Sequence, residues 1–174
     1  MSTPSALHSK KTPKWGTSKE IIALATTLLD GHIDLDPASS PEFNLLVQAL
    51  KIYTEHDSGL TKIWAGTVFL NPPGGLVTEF WNLLTQYLMS GHIVKAFWVG
   101  FSVEQLCTLA SEKFHPLDFS TCVLRKRIPF LQESGEPGGA PSHGNYVTSL
   151  GCNRALFDKL FAYKGKVSHG LLAV

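Results

Sequence analysis

A strand, a helix and a second strand are predicted one after another between residues 67 and 99. Residues 67–70 form a short run that is apolar after Thr67, residues 76–89 repeat apolar side chains at helical spacing, and residues 93–99 are apolar apart from Lys95. Two buried strands joined by a helix are typical of a βαβ unit, in which the strands lie parallel in one sheet. This segment therefore predicts an α/β fold.

The same alternation extends over most of the chain. Further helices are predicted over residues 19–29, 41–50, 102–113 and 153–161, and further strands over residues 32–36, 120–124 and 146–150. This pattern predicts a sheet with helices on both faces, where ligands bind beyond the carboxyl ends of the strands. The length of 174 residues suits one domain. We expect residues 15–174 to form it and residues 1–14, which are polar and hold three lysines, to form a flexible basic arm.

The composition excludes several classes of protein. With 44% hydrophobic and 17% charged residues, the chain is not largely disordered, and its net charge of +1 lacks the broad positive field of a histone-like DNA-binding protein. Any contact with nucleic acid must then be local. No apolar run approaches the roughly 20 residues of a membrane helix, and the opening segment lacks the apolar stretch of a signal peptide. We therefore expect an intracellular protein that is not bound to a membrane.

A metal site is not expected. The seven histidines occur singly, and the three cysteines (Cys107, Cys122 and Cys152) form no C-x-x-C pair. Their odd number and wide spacing also argue against a disulfide framework. We interpret all three as buried thiols.

The most specific motif is Asn71-Pro72-Pro73, which follows a predicted buried strand. The Asn71 amide offers a donor and an acceptor, while the prolines stiffen the backbone and carry no N–H of their own. An exocyclic amino group has two hydrogens, so the Asn71 side chain and the Pro72 carbonyl together could hold one and orient its nitrogen for attack. The alternative interpretation is an ordinary turn at the end of a strand, because Asn-Pro commonly starts turns.

Neighbouring blocks of sequence favour the chemical interpretation. Four blocks resemble, in order and spacing, the phage-type DNA N6-adenine methyltransferase family, namely residues 14–18, 33–39, 57–60 and 64–73. The resemblance is clear over residues 15–75 and continues more thinly to about residue 151. It implies a Rossmann-like class I methyltransferase fold, trimmed in size, with a mixed but mostly parallel sheet. It also implies that S-adenosylmethionine is the cofactor and that a methyl group moves to N6 of adenine in DNA.

The resemblance assigns roles to individual residues. Asn71, Pro72 and Pro73 would form the catalytic motif. The cofactor-binding positions would be Trp15, Thr17, Asp34, Asp36, Pro37, Ala38 and Asp57. From their charge alone, Arg125, Lys126 and Arg127 are candidates for binding DNA phosphates, with an exposed strand end as the alternative.

One position departs from the family pattern. Such catalytic motifs usually end in Tyr or Phe, which stacks on the extruded base, whereas this chain has Gly74 followed by Gly75. Another ring could substitute, and the candidates are Phe80, Trp81, Trp98 and Phe101. Alternatively, the two glycines could let the loop backbone approach a different substrate closely.

The sequence as a whole predicts a DNA adenine N6-methyltransferase of bacteriophage or prophage type, acting in the bacterial cytoplasm without a metal. Two alternatives stay open. One is a non-catalytic relative that binds DNA or protein, because Gly74 replaces the aromatic residue. The other is methylation of a different amino group, such as N4 of cytosine, to which the same pair of acceptors is suited. Residues 135–143, within a loop rich in Gly, Pro and Ser, are expected to set any sequence specificity.

Overall fold

Strands and helices interleave along the part of the chain that the structure, a computed structural model, describes, namely residues 15–113, 119–138 and 143–170. The strands are β1 (Leu35–Asp36), β2 (Lys51–Ile52), β3 (Gly66–Leu70), β4 (Ile93–Gly100), β5 (Phe119–Leu124), β6 (Tyr146–Leu150) and β7 (Gly165–His169). The helices are α1 (Lys19–Leu28), α2 (Pro41–Val47), α3 (Val77–Met89), α4 (Val103–Lys113) and α5 (Arg154–Phe161). The basic arm predicted for residues 1–14 lies outside the described residues.

The seven strands form one mixed sheet in the order β2-β1-β3-β4-β6-β5-β7. The pairs β2-β1, β1-β3 and β3-β4 are parallel, whereas β6 runs antiparallel to both β4 and β5, and β7 runs antiparallel to β5. Five strands therefore point in one direction, and β6 and β7 point in the other. This arrangement confirms the predicted α/β class and the mixed, mostly parallel sheet, and it is consistent with a Rossmann-like fold.

Helices cover both faces of the sheet, as predicted. On one face, Val68 and Trp98 pack with residues of α3 and α4, and Trp81 meets Trp98 edge-on with ring centroids 4.9 Å apart. On the other face, residues of β3 and β4 pack against α1, α2 and α5, and Phe97 stacks on Phe161 at 5.9 Å. Burial of each such side chain contributes roughly 1.5–3 kcal/mol, so the two apolar layers fix the positions of the strand ends.

Local capping explains two of the helix starts. The Ser40 side chain accepts a hydrogen bond from the Phe43 N–H at 3.3 Å, with Pro41 in the first turn of α2. Asn153 does the same for α5, because its Oδ1 accepts from the Leu156 N–H at 2.9 Å. Such caps satisfy backbone donors that have no partner within the helix.

Several boundaries differ from the prediction. The strand predicted over residues 32–36 covers only Leu35–Asp36, and α2 ends at Val47, because Gln48 adopts a left-handed conformation with φ 55°. The strands β2 and β7 were not predicted. Both lie at the edges of the sheet, where one side of a strand faces solvent and the apolar signal is weak.

The cysteine prediction is wrong for one residue. Cys122 and Cys152 are buried, but Cys107 is exposed on α4, and all three are free thiols. Among the helices of the described residues, none combines the length and the apolar character that crossing a membrane requires.

Candidate active site

The strand order reverses between β1 and β3. From β1 the chain moves outward to β2 and then returns to β3 on the other side of β1. In open α/β sheets, ligands bind outside the carboxyl ends of the strands at such a reversal. We call this region the carboxyl edge and define it by the residues that directly follow β1, β3, β4 and β5. It brings residues 36–38 next to the Asn71-Pro72-Pro73 corner, because their strands are neighbours.

The Asn71 side chain is held in one orientation. Its Nδ2 donates a hydrogen bond to the Trp15 carbonyl oxygen at 2.7 Å. Because a carbonyl can only accept, the NH2 group must face Trp15, and Oδ1 must face the other way. No donor among the described residues reaches this oxygen. Asn71 therefore presents a fixed acceptor that no protein group uses.

A second free acceptor lies one residue further along the chain. The Pro73 carbonyl accepts from the Leu76 N–H at 2.9 Å, at the start of the turn that leads into α3, whereas within the described chain the Pro72 carbonyl receives no hydrogen bond. Both prolines have a fixed φ, so the corner cannot easily rotate these oxygens away. Asn71 Oδ1 and the Pro72 oxygen are thus two stiffly held acceptors on one partly exposed turn.

Residues 15–17, which include the Trp15 carbonyl that holds Asn71, pack against the part of the chain that follows β5. Gly16 and Leu131 exchange two backbone hydrogen bonds, both 2.7 Å long. The Trp15 ring lies against Gly138, where an added Cβ would come within 2.1 Å of the ring atom Cζ3. Gly138 is therefore required for this close approach. Next to it, the Thr17 hydroxyl is buried and has no hydrogen-bond partner in the described residues.

Asp36 lies at the carboxyl end of β1 and is only 4% exposed. Its Oδ1 accepts from the Ala38 N–H at 3.2 Å. Burial raises the pKa of Asp36 from 3.8 to about 6, and the hydrogen bond from Ala38 opposes this shift only partly. Pro37 packs directly on Gly59, where an added Cβ would lie 2.0 Å from the Pro37 oxygen. This contact brings the block of residues 57–60 against the loop that follows β1.

Asp57 stabilises its own turn. Its Oδ2 accepts from the Thr54 N–H at 3.2 Å and from the Thr54 hydroxyl at 2.9 Å, and these hydrogen bonds lower the pKa of Asp57. Because the carboxylate is exposed, it keeps room for a further partner. The Gly59–Pro37 contact places the turn that contains Asp57 next to the loop that follows β1.

The Asp34 carboxylate takes part in hydrogen bonds within the fold. Its Oδ2 accepts from the Thr67 N–H at 2.8 Å and from the Thr67 hydroxyl at 3.1 Å. Asp34 precedes β1, and Thr67 is near the start of β3, so this contact joins the two strands at their amino ends. Asp34 therefore bridges the two strands, two residues before Asp36.

Of the four aromatic candidates near Gly74, three are inaccessible. Phe80, Trp81 and Trp98 are buried in the core at 4%, 0% and 0% exposure. Phe101, which directly follows β4, is partly buried, and its ring atoms Cε1 and Cζ lie 3.7 and 3.9 Å from where a Cβ on Gly74 would be. Phe101 is therefore the ring that reaches the corner.

The three basic candidates also lie at the carboxyl edge. Arg125, Lys126 and Arg127 directly follow β5, which runs in the same direction as β3, and all three are exposed. Three strand spacings of about 4.8 Å separate β3 from β5, so the basic residues lie about 14 Å along the edge from the corner.

Asn145 holds this edge together, a role that the sequence analysis missed. It is fully buried, its Nδ2 donates to the Phe101 carbonyl at 3.0 Å, and its Oδ1 accepts from the Ile128 N–H at 2.8 Å. The signal in the sequence is weak, because an Asn beside Gly144 is typical of a turn. Part of the loop predicted to set specificity, residues 139–142, lies outside the described residues.

Within residues 15–113, 119–138 and 143–170, no three His, Cys, Asp or Glu side chains lie close enough together to hold a metal ion.

Comparison with known proteins adds no assignment. A scan against models of known protein families finds no match for this chain. A search among curated proteins likewise finds no match. The resemblance of the sequence blocks to adenine methyltransferases therefore stays a prediction, and the geometry of the carboxyl edge carries the functional argument.

Proposed function

We propose that this protein transfers a methyl group from S-adenosylmethionine to N6 of adenine in DNA. The observation that carries the proposal is a pair of acceptors that no group of the described residues uses, Asn71 Oδ1 and the Pro72 oxygen, at the point where the strand order reverses. An exocyclic amino group supplies two N–H donors, which is the complement of this pair. A group held by both hydrogens keeps its nitrogen lone pair available for attack.

Residues beside the corner fit the proposed cofactor. Asp36 and the Thr17 hydroxyl are buried polar groups at the carboxyl edge, and no group in the part of the chain that the structure describes bonds to the Thr17 hydroxyl. A buried polar atom without a partner costs about 1–3 kcal/mol, so a ligand that supplies the missing hydrogen bond is favoured. Asp36 would accept hydrogen bonds from the cofactor, and Trp15 would line its binding site. When bound, S-adenosylmethionine supplies a methyl group made electrophilic by the adjacent sulfonium.

The protein's own contribution to the reaction is positioning. Asn71 and Pro72 would hold the amino group so that its nitrogen faces the methyl donor. The hydrogen bond to Trp15 would keep Asn71 Oδ1 from rotating, and the diproline would keep the Pro72 oxygen from rotating. Holding two reactants in attack geometry supplies a large part of the barrier reduction in such reactions. The nitrogen gains the methyl carbon as the bond between that carbon and the sulfonium sulfur breaks, and the electron pair of that bond stays on sulfur, which leaves as S-adenosylhomocysteine. The amine then releases one proton to water, so neither a metal nor a covalent intermediate on the protein is needed.

The proposed DNA contacts follow from charge. An adenine inside a duplex cannot reach the corner, so the base must leave the helix or come from a single strand. Arg125, Lys126 and Arg127 would bind phosphates along the same edge while the base enters beside Asn71.

The direct test is methyl transfer from isotopically labelled S-adenosylmethionine to DNA of mixed sequence, followed by mass analysis of the nucleosides. We expect label in N6-methyladenine. The Asn71→Ala variant, purified in the same way, is the matched control for methyltransferases carried over from the expression host. Label in N4-methylcytosine alone would replace adenine with cytosine as the substrate. Absence of labelled nucleoside from every DNA tested would overturn the proposal.

A non-catalytic role is the second candidate, favoured by the glycine at position 74. Calorimetric titration with S-adenosylmethionine separates the two, because a binding module that has lost the reaction has no need of the cofactor. Binding with transfer supports the enzyme, whereas no binding at millimolar concentration supports the module.

A further inference from the structure

We infer that Phe101 provides the stacking surface for the base that enters the Asn71 corner. This inference rests on the proposed function and adds a positioning residue to it. Proteins that act on an extruded base read it by hydrogen bonds to its edge and by stacking against aromatic or apolar side chains. The corner supplies the hydrogen-bond acceptors, and none of the turn residues Pro72, Pro73, Gly74 and Gly75 is aromatic.

The backbone places Phe101 beside this turn. Leu70 of β3 pairs with Trp98 of β4, so the residues that follow the two strands leave the sheet side by side. The Phe101 ring reaches to within 3.7 Å of where a Cβ on Gly74 would lie. Phe101 packs against the core cluster that contains Phe97 and Val99, but it is only partly buried, so part of the residue stays accessible.

Two further contacts hold the ring in position. The Phe101 carbonyl accepts from the buried Asn145 amide at 3.0 Å, which fixes its backbone. The His143 ring meets the Phe101 ring edge-on, with centroids 6.0 Å apart. A ring fixed in this way loses little conformational freedom when a base stacks on it, which favours binding.

Gly74 is consistent with this arrangement. It is not among the residues with positive φ, so its backbone conformation does not require glycine. A side chain there would instead grow toward the Phe101 ring and cover it. Trp15, whose carbonyl accepts from Asn71, is exposed, and its ring lies against Gly138 on the side of the chain that follows β5. The aromatic ring at the corner thus comes from the residue that follows β4 and not from the turn that follows β3.

Substitutions that remove the aromatic ring at position 101 and add one at position 74 test this inference. Phe101→Leu keeps an apolar side chain but removes the ring, and we expect kcat/KM for DNA to fall roughly 10- to 100-fold, the loss typical of base–aromatic stacking. Phe101→Tyr keeps the ring and should stay within about threefold of the parent protein. Adding Gly74→Tyr to Phe101→Leu should restore most of the loss, because the space that the ring vacates lies next to position 74.

Cofactor affinity, measured by calorimetry, distinguishes stacking from a structural role. We expect the same affinity for S-adenosylmethionine in all three variants and in the parent protein. If Phe101→Leu leaves kcat/KM unchanged, or lowers it together with cofactor affinity and without rescue by Gly74→Tyr, the inference is overturned while the proposed function stands. If the parent protein labels no nucleoside, the proposed function and this inference fall together.

Discussion

The polar groups at the two ends of the sheet differ in whether other groups of the protein satisfy their hydrogen bonds. At the amino ends of the strands, Ser120 Oγ lies 2.8 Å from His169 Nδ1, and His169 Nε2 lies 2.9 Å from Asp158 Oδ1. These are the residue types of a hydrolytic triad, yet each finds its partner within the cluster, and Ser120 is only 2% exposed. At the carboxyl edge, Asn71 Oδ1 and the Pro72 oxygen are without donors from the described chain.

This difference shows which polar groups are available for chemistry. The Ser120 cluster satisfies its hydrogen bonds internally and closes off its hydroxyl, so it contributes stability and leaves no path for a substrate. The corner contributes little stability through its free oxygens and leaves them accessible on a rigid turn. Availability, more than residue type, therefore marks the candidate site. Substitutions at the carboxyl edge should mainly lower activity, and substitutions at the amino ends should mainly lower stability.

Asn71→Ala gives the largest expected effect on activity. Removing the amide deletes one of the two acceptors for the amino group, and loss of one such preorganised hydrogen-bonding group costs about 100- to 1,000-fold in kcat. The hydrogen bond to Trp15 is partly exposed, so the free energy of unfolding should fall by only about 1 kcal/mol. Methylation kinetics and urea unfolding of the same preparations measure both quantities.

Ser120→Ala is the matched control at the other end of the sheet. It leaves kcat unchanged and lowers the free energy of unfolding by about 1–2 kcal/mol, because His169 loses a buried partner. A loss of methylation in Ser120→Ala as large as that in Asn71→Ala would refute the proposed contrast between the two ends.

The sequence predicted the corner well because its signals are local. The end of β3 at Leu70 follows from an apolar run broken by Asn and two prolines, and β6 coincides with the strand predicted over residues 146–150. The position of the corner at the carboxyl end of a strand also follows from the alternation of strands with helices. Local periodicity was sufficient for these features.

Features that depend on long-range contacts could not be predicted. The contact of Phe101 with position 74 requires the register of β3 against β4, which the sequence alone does not show. The bridging role of Asp34 required knowing that Thr67 lies opposite it. Likewise, the antiparallel placement of β6 between β4 and β5 reverses the chain order of the last strands. Periodicity indicates that a strand exists, whereas its neighbours are set by the packing of the whole sheet.

Asp36→Asn tests whether the buried Asp36 carboxylate, which we propose binds the cofactor, destabilises the folded protein. Because burial raises the pKa of Asp36 from 3.8 to about 6, the folded protein keeps a proton that the unfolded chain releases between about pH 4 and pH 6. The contribution of Asp36 to stability therefore falls as pH rises through this window and stays low above it. Asp36→Asn removes the cost, and we expect it to raise the free energy of unfolding by up to about 3 kcal/mol at pH 8 and by almost nothing at pH 4.

Urea unfolding at the two pH values measures the effect, and calorimetry should show weaker binding of S-adenosylmethionine by the stabilised variant. Asp57→Asn is the control, because the contribution of Asp57 to stability has the opposite dependence on pH. Hydrogen bonds from Thr54 lower the pKa of Asp57, so its contribution to stability is present above its ordinary pKa and is lost as pH falls. An equal gain in stability for Asp36→Asn at pH 4 and pH 8 would contradict the buried, destabilising carboxylate.

Asp34→Ala should lower stability without weakening cofactor binding. The carboxylate accepts two hydrogen bonds from Thr67, and hydrogen bonds to a charged group of this exposure are worth about 2 kcal/mol together. We expect that loss in urea unfolding, with Asp34→Asn losing less because its amide oxygen still accepts from the Thr67 N–H. A more than tenfold loss of affinity for S-adenosylmethionine in folded Asp34→Ala would instead return Asp34 to the cofactor site that the family resemblance implied.

The smallest expected effects are at the basic end of the carboxyl edge. Each phosphate contact contributes a slope of about 0.9 to the dependence of log affinity on log salt, so replacing Arg125, Lys126 or Arg127 singly by Ala should remove about that slope. Raising salt from 50 to 200 mM should then weaken each variant about threefold less than the parent protein, equally for all DNA sequences. Lys51→Ala removes the same charge at the exposed start of β2, at the amino end of the sheet, and should leave the salt slope unchanged. Equal slopes in all four variants would show that DNA approaches by another surface, because a duplex laid along the carboxyl edge must bring its phosphates to the residues that follow β5.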